Sequence, residues 1–146
     1  STQGVSSAAS DVYKRQLNFL ADGSEFLQTE PRLRTQVLQW QFFEQYSHEP
    51  YIAVARRIQW LEGMPAARAE EYKICQVRGH KALRVMERQL QQTPYLVGDR
   101  YTIADIALYA YTHVAHEGGF DLSGYPAVNA WLARVASHPQ HVTMLG

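Results

Sequence analysis

The stretch Thr93–Glu117, TPYLVGDRYTIADIALYAYTHVAHE, restricts the possible folds of this chain more than any other. Thr102 suits the N-cap of a helix, where its hydroxyl can accept a hydrogen bond from a free backbone N–H of the first turn. Asp105, three residues on, can return the favour to the Thr102 N–H, which makes a capping box. Tyr101 before the cap and Ile106 at the fourth helical position are spaced for a hydrophobic staple. Ile103, Ile106, Ala107, Ala110 and Val114 then recur at helical spacing and give the helix an apolar face. Such a helix fits the middle of a helical core, and Thr102 and Asp105 are expected to be structural.

The rest of the chain follows the same periodicity. Pro31 can open a helix, because its missing N–H costs little there. Leu33, Val37 and Trp40 line one face, and Leu38, Phe42 and Tyr46 a second, so burial on two sides is expected. Pro50 interrupts the helix and disfavours helical backbone at Glu49. The pattern resumes through Tyr51, Val54, Ile58 and Leu61 and stops at Gly63, so a kink near Pro50 is expected. A third helix is predicted from Pro65 to about Gln92, with Tyr72, Cys75, Gly79, Leu83, Met86 and Leu90 as its core stripe. Gly in that stripe implies a close helix crossing. The helix after Thr102 is predicted to reach Gly118-Gly119. Another, begun at Tyr125-Pro126 and ended by His138-Pro139, carries Val128, Trp131, Leu132 and Val135, and a last turn is expected through Leu145. No segment alternates like a strand, and the chain reads as all-α.

The 146 residues amount to about one domain, and 46% of them are apolar, enough for a sizeable core. Fourteen basic and fourteen acidic residues cancel, which gives no expectation of nucleic acid as a partner. The apolar runs are short, so no membrane span is expected. A single cysteine, Cys75, rules out an internal disulfide framework and fits a cytoplasmic protein.

YLVGDRYTIADIALY resembles the motif that leads into the central helix of the C-terminal domain of glutathione S-transferases. YPAVNAWLARVASHP is similar to the closing helix of that domain, and QWQFFEQYSHEPYIAVAR to the corresponding helix of bacterial members of unassigned class. The resemblance covers roughly Leu17–Met144. It implies the family's all-α bundle over residues 31–146. Residues 17–30 would hold the inter-domain linker and, at LNFLA, the end of the last helix of a thioredoxin-like N-terminal domain, the only part of that domain remaining. Phe26 and Leu27 would form the plug between domains. Residues 1–16 stand apart: they are rich in Ser and Ala, are expected to be disordered, and contain SSAASDVYKRQ, which looks like translated adaptor or vector sequence.

Family members add the glutathione thiolate to electrophilic compounds, using a donor in the N-terminal domain to lower the thiol pKa. No catalytic residue is therefore expected in this chain, which alone should be inactive. Glutathione would be the co-substrate, held mainly by the missing domain, and no metal is expected. The helical half would supply the wall of a hydrophobic electrophile's pocket. It would also supply homodimer contacts, through Leu17–Ala21 and Arg32–His48. By the resemblance, Glu44, Gln45, Tyr46, His48 and Tyr51 near the kink, with Tyr109 and His113 on the central helix, are the substrate-binding candidates. Tyr46 and Tyr51 equally suit a core, Glu44 a solvated face, and His48 and His113 helix ends. The alternative is a non-catalytic, transferase-like interaction module of a translation- or transcription-associated protein. His113/His116/Glu117 and His138/His141 each lack a third convergent metal ligand. Cys75, on the apolar stripe, is expected to act as a small hydrophobe. Arg84, Arg88 and Arg100 could make inter-helix or inter-domain ion pairs, with surface bridges as the default.

Overall fold

The computed structural model describes the backbone of residues 3–143 and the side chains of residues 12–143. Six α-helices follow one another: α1 (Gln3–Ala21), α2 (Pro31–Phe43), α3 (Glu49–Arg56), α4 (Ala69–Leu90), α5 (Ile103–Thr112) and α6 (Pro126–Ala136). Among the described residues there is no strand. Helix α3 packs along α4, α4 against α6, and α2 against α5.

The core forms where α5 passes between its neighbours. Ile103, Ala104, Ala107 and Leu108 of α5 are buried, as are Ile52 and Ala55 of α3, Leu83 and Met86 of α4, and Val128 and Trp131 of α6. Burial of each large side chain here stabilises the fold by roughly 1.5–3 kcal/mol. Gly79 of α4 lies where a Cβ would overlap the Phe120 ring and stand 3.4 Å from Ile52 Cγ1. The close approach implied by that glycine is thus to α3 and to the loop before α6.

The start of α5 carries the expected capping box. Thr102 Oγ1 accepts from Ala104 N at 3.3 Å, and Asp105 Oδ2 accepts from Thr102 N at 3.0 Å. Tertiary bonds extend it. Asp105 Oδ1 accepts from Leu96 N at 3.0 Å and Trp131 Nε1 at 2.9 Å, and Oδ2 also from Thr102 Oγ1 at 3.1 Å. Burial pushes the Asp105 carboxyl pKa up, and these hydrogen bonds pull it back.

Several boundaries differ from expectation. Helix α5 ends at Thr112, whose hydroxyl takes the Leu108 carbonyl at 2.6 Å, and a 3₁₀ turn, Ala115–Gly118, follows. Helix α4 starts at Ala69 after a 3₁₀ turn, Ala66–Arg68. At the N-terminus, where disorder is expected from the sequence, the backbone from Gln3 on continues the helix that ends at Ala21. One cause is a tertiary anchor, since Lys14 is buried against Glu44 and Gln45. At the other end residues 141–143 form no helix, and Leu145 lies outside the described residues.

Phe26 and Leu27, the expected inter-domain plug, follow α1. Leu27 is buried in this domain's own core, and Phe26 is half-buried, its ring edge-on to Tyr101. The large apolar side chains left exposed include Phe19 and Leu20 of α1 and Leu38, Phe42 and Tyr46 of the next helical run, and also Trp60, Leu61, Ile74 and Val77 farther along the chain.

Candidate functional site

The run from Pro31 to Leu61 bends because two π-turns are built into it. Glu44–His48 precedes α3 and Arg57–Leu61 follows it. Pro50 takes its place in the first turn of α3, where its missing N–H is tolerated, so the distortion sits just before the proline. A π-turn accommodates an extra residue in the helix, which rotates everything downstream by roughly 100°.

That rotation divides the candidate residues. Glu44, Gln45 and His48 are buried, and they meet α1 and α5. Tyr46 is exposed, and Tyr51 is turned toward α4, where its ring lies 5.5 Å from the Arg78 guanidinium. These two, with Phe43, Ser47 and Lys81, line a separate groove of about 260 Å³ between the bend and α4. Tyr109 and His113 form a third group. Their rings stack at 4.7 Å, and Tyr109 lies against Trp131 and His141. The seven predicted side chains therefore fall into three separate groups, Glu44 with Gln45 and His48, Tyr46 with Tyr51, and Tyr109 with His113, and form no single site. The solvated face considered for Glu44 and the helix-end role considered for His48 do not hold, because both side chains are buried inside the bend.

Within the bend, Lys14 Nζ lies 2.8 Å from Glu44 Oε2 and donates to Gln45 Oε1 at 3.1 Å. Asn18 Nδ2 donates to Gln41 Oε1 at 2.9 Å, while Gln41 Nε2 is buried with no partner. His48 Nε2 is 2.9 Å from Thr112 Oγ1. The Thr112 hydroxyl donates to Leu108 O, so it accepts from His48, which fixes the Nε2–H tautomer. His48 Nδ1 is then a bare acceptor, buried without a partner. Complete burial holds the imidazole neutral, its pKa pushed down to about 3.

Two residues missed from the sequence belong to this region. Burial and the neighbouring Glu44 charge push the Glu49 carboxyl pKa up. Burial, with Glu49 and Glu44 nearby, pushes the Tyr111 phenol pKa up as well. The position of Glu49 beside Pro50 was a usable signal. Tyr111 carried none, because its face depends on where α5 packs. Together these groups offer a protonated phenol, carboxylate acceptors and buried amides. They supply no nucleophile: Cys75 is buried, and burial pushes its thiol pKa up, away from the reactive thiolate. Among the described residues no group of three or more His, Cys, Asp or Glu side chains is placed to hold a metal. No described helix is long and apolar enough to cross a membrane. Arg84, Arg88 and Arg100 make no ion pair among the described residues, contrary to expectation.

This architecture has clear relatives. A glutathione S-transferase from Pseudomonas fluorescens Pf-5 superposes with a TM-score of 0.89 and is 73% identical, over 90% of this chain and 66% of that one. One from Xanthobacter autotrophicus Py2 gives a TM-score of 0.85 and 46% identity, over 88% of this chain and 63% of that one. The disulfide-bond oxidoreductase YfcG of Escherichia coli (strain K12) is 32% identical over 116 residues, which are 78% of this chain and 52% of YfcG. This chain thus spans about half the length of YfcG and under two thirds of the two structural relatives. The family model described as "Glutathione S-transferase, C-terminal domain" matches residues 40–139, from the last turn of α2 to just past α6, and the chain belongs to that family.

Proposed function

We propose that this chain is the helical half of a cytosolic, dimeric glutathione-dependent enzyme, and that the enzyme joins glutathione to small electrophiles. In that reaction the glutathione thiolate forms a C–S bond and a leaving group such as chloride departs with its electron pair. The thiolate would be set up in a thioredoxin-like domain, and this half would contribute a wall of the electrophile's pocket. Glu49 and Tyr111 join Glu44 and Gln45 as the candidates for that wall. The observation that carries the reading is the 73% identity to the P. fluorescens transferase over nine tenths of the chain. The same likeness weighs against the interaction-module reading. The exposed Phe19, Leu20, Leu38, Phe42 and Tyr46 suit contacts with the other domain and a second subunit.

A second reading has its own support in the 32% identity to YfcG, a disulfide-bond oxidoreductase. On this reading two glutathione molecules would reduce a disulfide, yielding oxidised glutathione and two thiols. The discriminating experiment assays the full-length protein with glutathione against 1-chloro-2,4-dinitrobenzene and 2-hydroxyethyl disulfide. Faster conjugation supports the first reading, and faster disulfide reduction the second. The 146-residue chain alone should turn over neither. Saturable activity from it would overturn the assignment of chemistry to the other domain.

A further inference from the structure

The C-terminal half of α4 carries a row of cations. Arg78, Lys81, Arg84 and Arg88 follow one another at three- and four-residue steps, and all four are exposed. None is in an ion pair among the described residues. The row spans about 15 Å of helix axis, a local excess that the zero net charge of the chain conceals. Glu87 is the one carboxylate on α4 between Arg78 and Arg88, and it is buried. It is turned toward α6, where Oε1 accepts from Ala127 N at 3.1 Å and Gln91 Nε2 at 3.1 Å, and Oε2 from Val128 N at 2.9 Å. Its charge therefore answers the first turn of α6 and leaves the row outside unopposed.

Between the row and the start of α6 lies a cleft of about 430 Å³. Lys81, Arg84 and Arg88 line it together with Val85, Glu87 and Tyr125. It shares only Lys81 and Val85 with the groove at Tyr46 and Tyr51, and it opens toward α6 where that groove opens toward the bend. Val85, the Tyr125 ring and the stems of the long cations give it apolar surface. Tyr125 is held in place, its hydroxyl 2.8 Å from His80 Nδ1 and its ring stacked on the imidazole at 6.0 Å.

The charges do not cancel. Three cations face one carboxylate in the lining. Arg78 adds a cation one turn away, and Asp121 adds a carboxylate. Burial lowers the His80 pKa, Arg84 lowers it further and Asp121 raises it, so the field of Asp121 reaches this corner. Asp121 is itself engaged by Ser123 N and Ser123 Oγ, each at 2.8 Å. With or without this outer pair, the excess is two positive charges.

Guanidinium forks bind oxyanions through paired N–H donors, and an anion placed between neighbouring cations relieves their repulsion. We propose that this cleft binds a small polyanion carrying two or more phosphate or carboxylate groups, one held between Arg84 and Arg88 and another at Lys81.

The test titrates the isotope-labelled 146-residue chain with sodium tripolyphosphate and, separately, with sodium citrate, beside sodium chloride at equal ionic strength, and follows amide NMR shifts. Saturable shifts confined to residues 78–88 and 124–128 are expected. Tighter binding of tripolyphosphate would assign the site to phosphates, and tighter binding of citrate to carboxylates. Arg84→Gln and Arg88→Gln should each weaken binding about two- to five-fold, while Arg32→Gln, at the start of α2, should leave it unchanged. All three side chains are exposed, so the variants should fold. Shifts no different from those with sodium chloride would overturn the proposal. So would an Arg32→Gln variant that loses as much affinity as the two in the cleft.

Discussion

Asp105 and His48 are both completely buried, yet one is saturated with partners and the other is not. The Asp105 carboxylate accepts four hydrogen bonds, from a loop, its own cap and α6. His48 makes one, to Thr112, and leaves Nδ1 bare, with Gln41 Nε2 unpartnered in the same bend. A closed polar network of the first kind fixes the packing of three elements. An open one of the second kind adds little to stability and leaves polar capacity where two π-turns have already loosened the helix.

The largest effect that could sharpen this contrast is at the saturated site. Asp105→Ala would orphan Leu96 N, Thr102 N and Trp131 Nε1, and should cost about 3–5 kcal/mol in denaturant unfolding, comparable with losing one partner of a buried charge pair. A loss under about 1 kcal/mol would show that water or repacking replaces the carboxylate. Gly79→Ala comes next. The new methyl would overlap the Phe120 ring, so a net loss of about 1–3 kcal/mol is expected despite the roughly 1 kcal/mol gain in helix propensity. A stabilised variant would mean that Phe120 moves aside freely.

The remaining two predictions concern the open site. The His48 pKa is pushed down from 6.5 to about 3, so between those values the unfolded chain binds a proton that the folded chain refuses. The stabilisation is whole above pH 6.5 and is lost toward about pH 3. His48→Leu removes this term. Over that window the wild type should fall relative to the variant by on the order of 1 kcal/mol per pH unit. Parallel curves would mean that His48 is solvated. Smallest of all, His48→Leu at neutral pH should alter stability by less than about 1 kcal/mol, because Thr112 keeps its bond to Leu108 O and no donor is orphaned. A loss as large as that of Asp105→Ala would erase the distinction between the two sites.

These two sites also mark what the sequence made legible. The capping box was readable because its residues are three apart and its chemistry is local. The bonds from Asp105 to Leu96 and Trp131 were not, since they depend on how the loop and α6 come to rest. The bend was visible through Pro50, and the close approach at Gly79 through a glycine in an apolar stripe. The π-turns left no local trace, so the resemblance placed Tyr51 beside Glu44 and His48 near the kink without the rotation that separates them in the structure. Tyr109 and His113 lie apart from the bend for a related reason. Four residues apart on one face, they stack on each other and face α6 and the C-terminal segment. The helix at Gln3–Ala21 was hidden as well, because its anchor is tertiary.

The two π-turns around α3 have a consequence for how such a helix can change over generations. Each holds one residue more than a plain helix needs, so each is a place where a codon can be gained or lost without breaking the hydrogen-bonded run. Deletion of one residue from Glu44–His48 would leave the core of α5 and α6 in place. It would also leave α3 facing as it does now, with Ile52 and Ala55 still buried and Tyr51 still turned from Glu44, because the π-turn already absorbs that residue. One in-frame deletion can therefore shorten the helix without exchanging the side chains on either side of the bend.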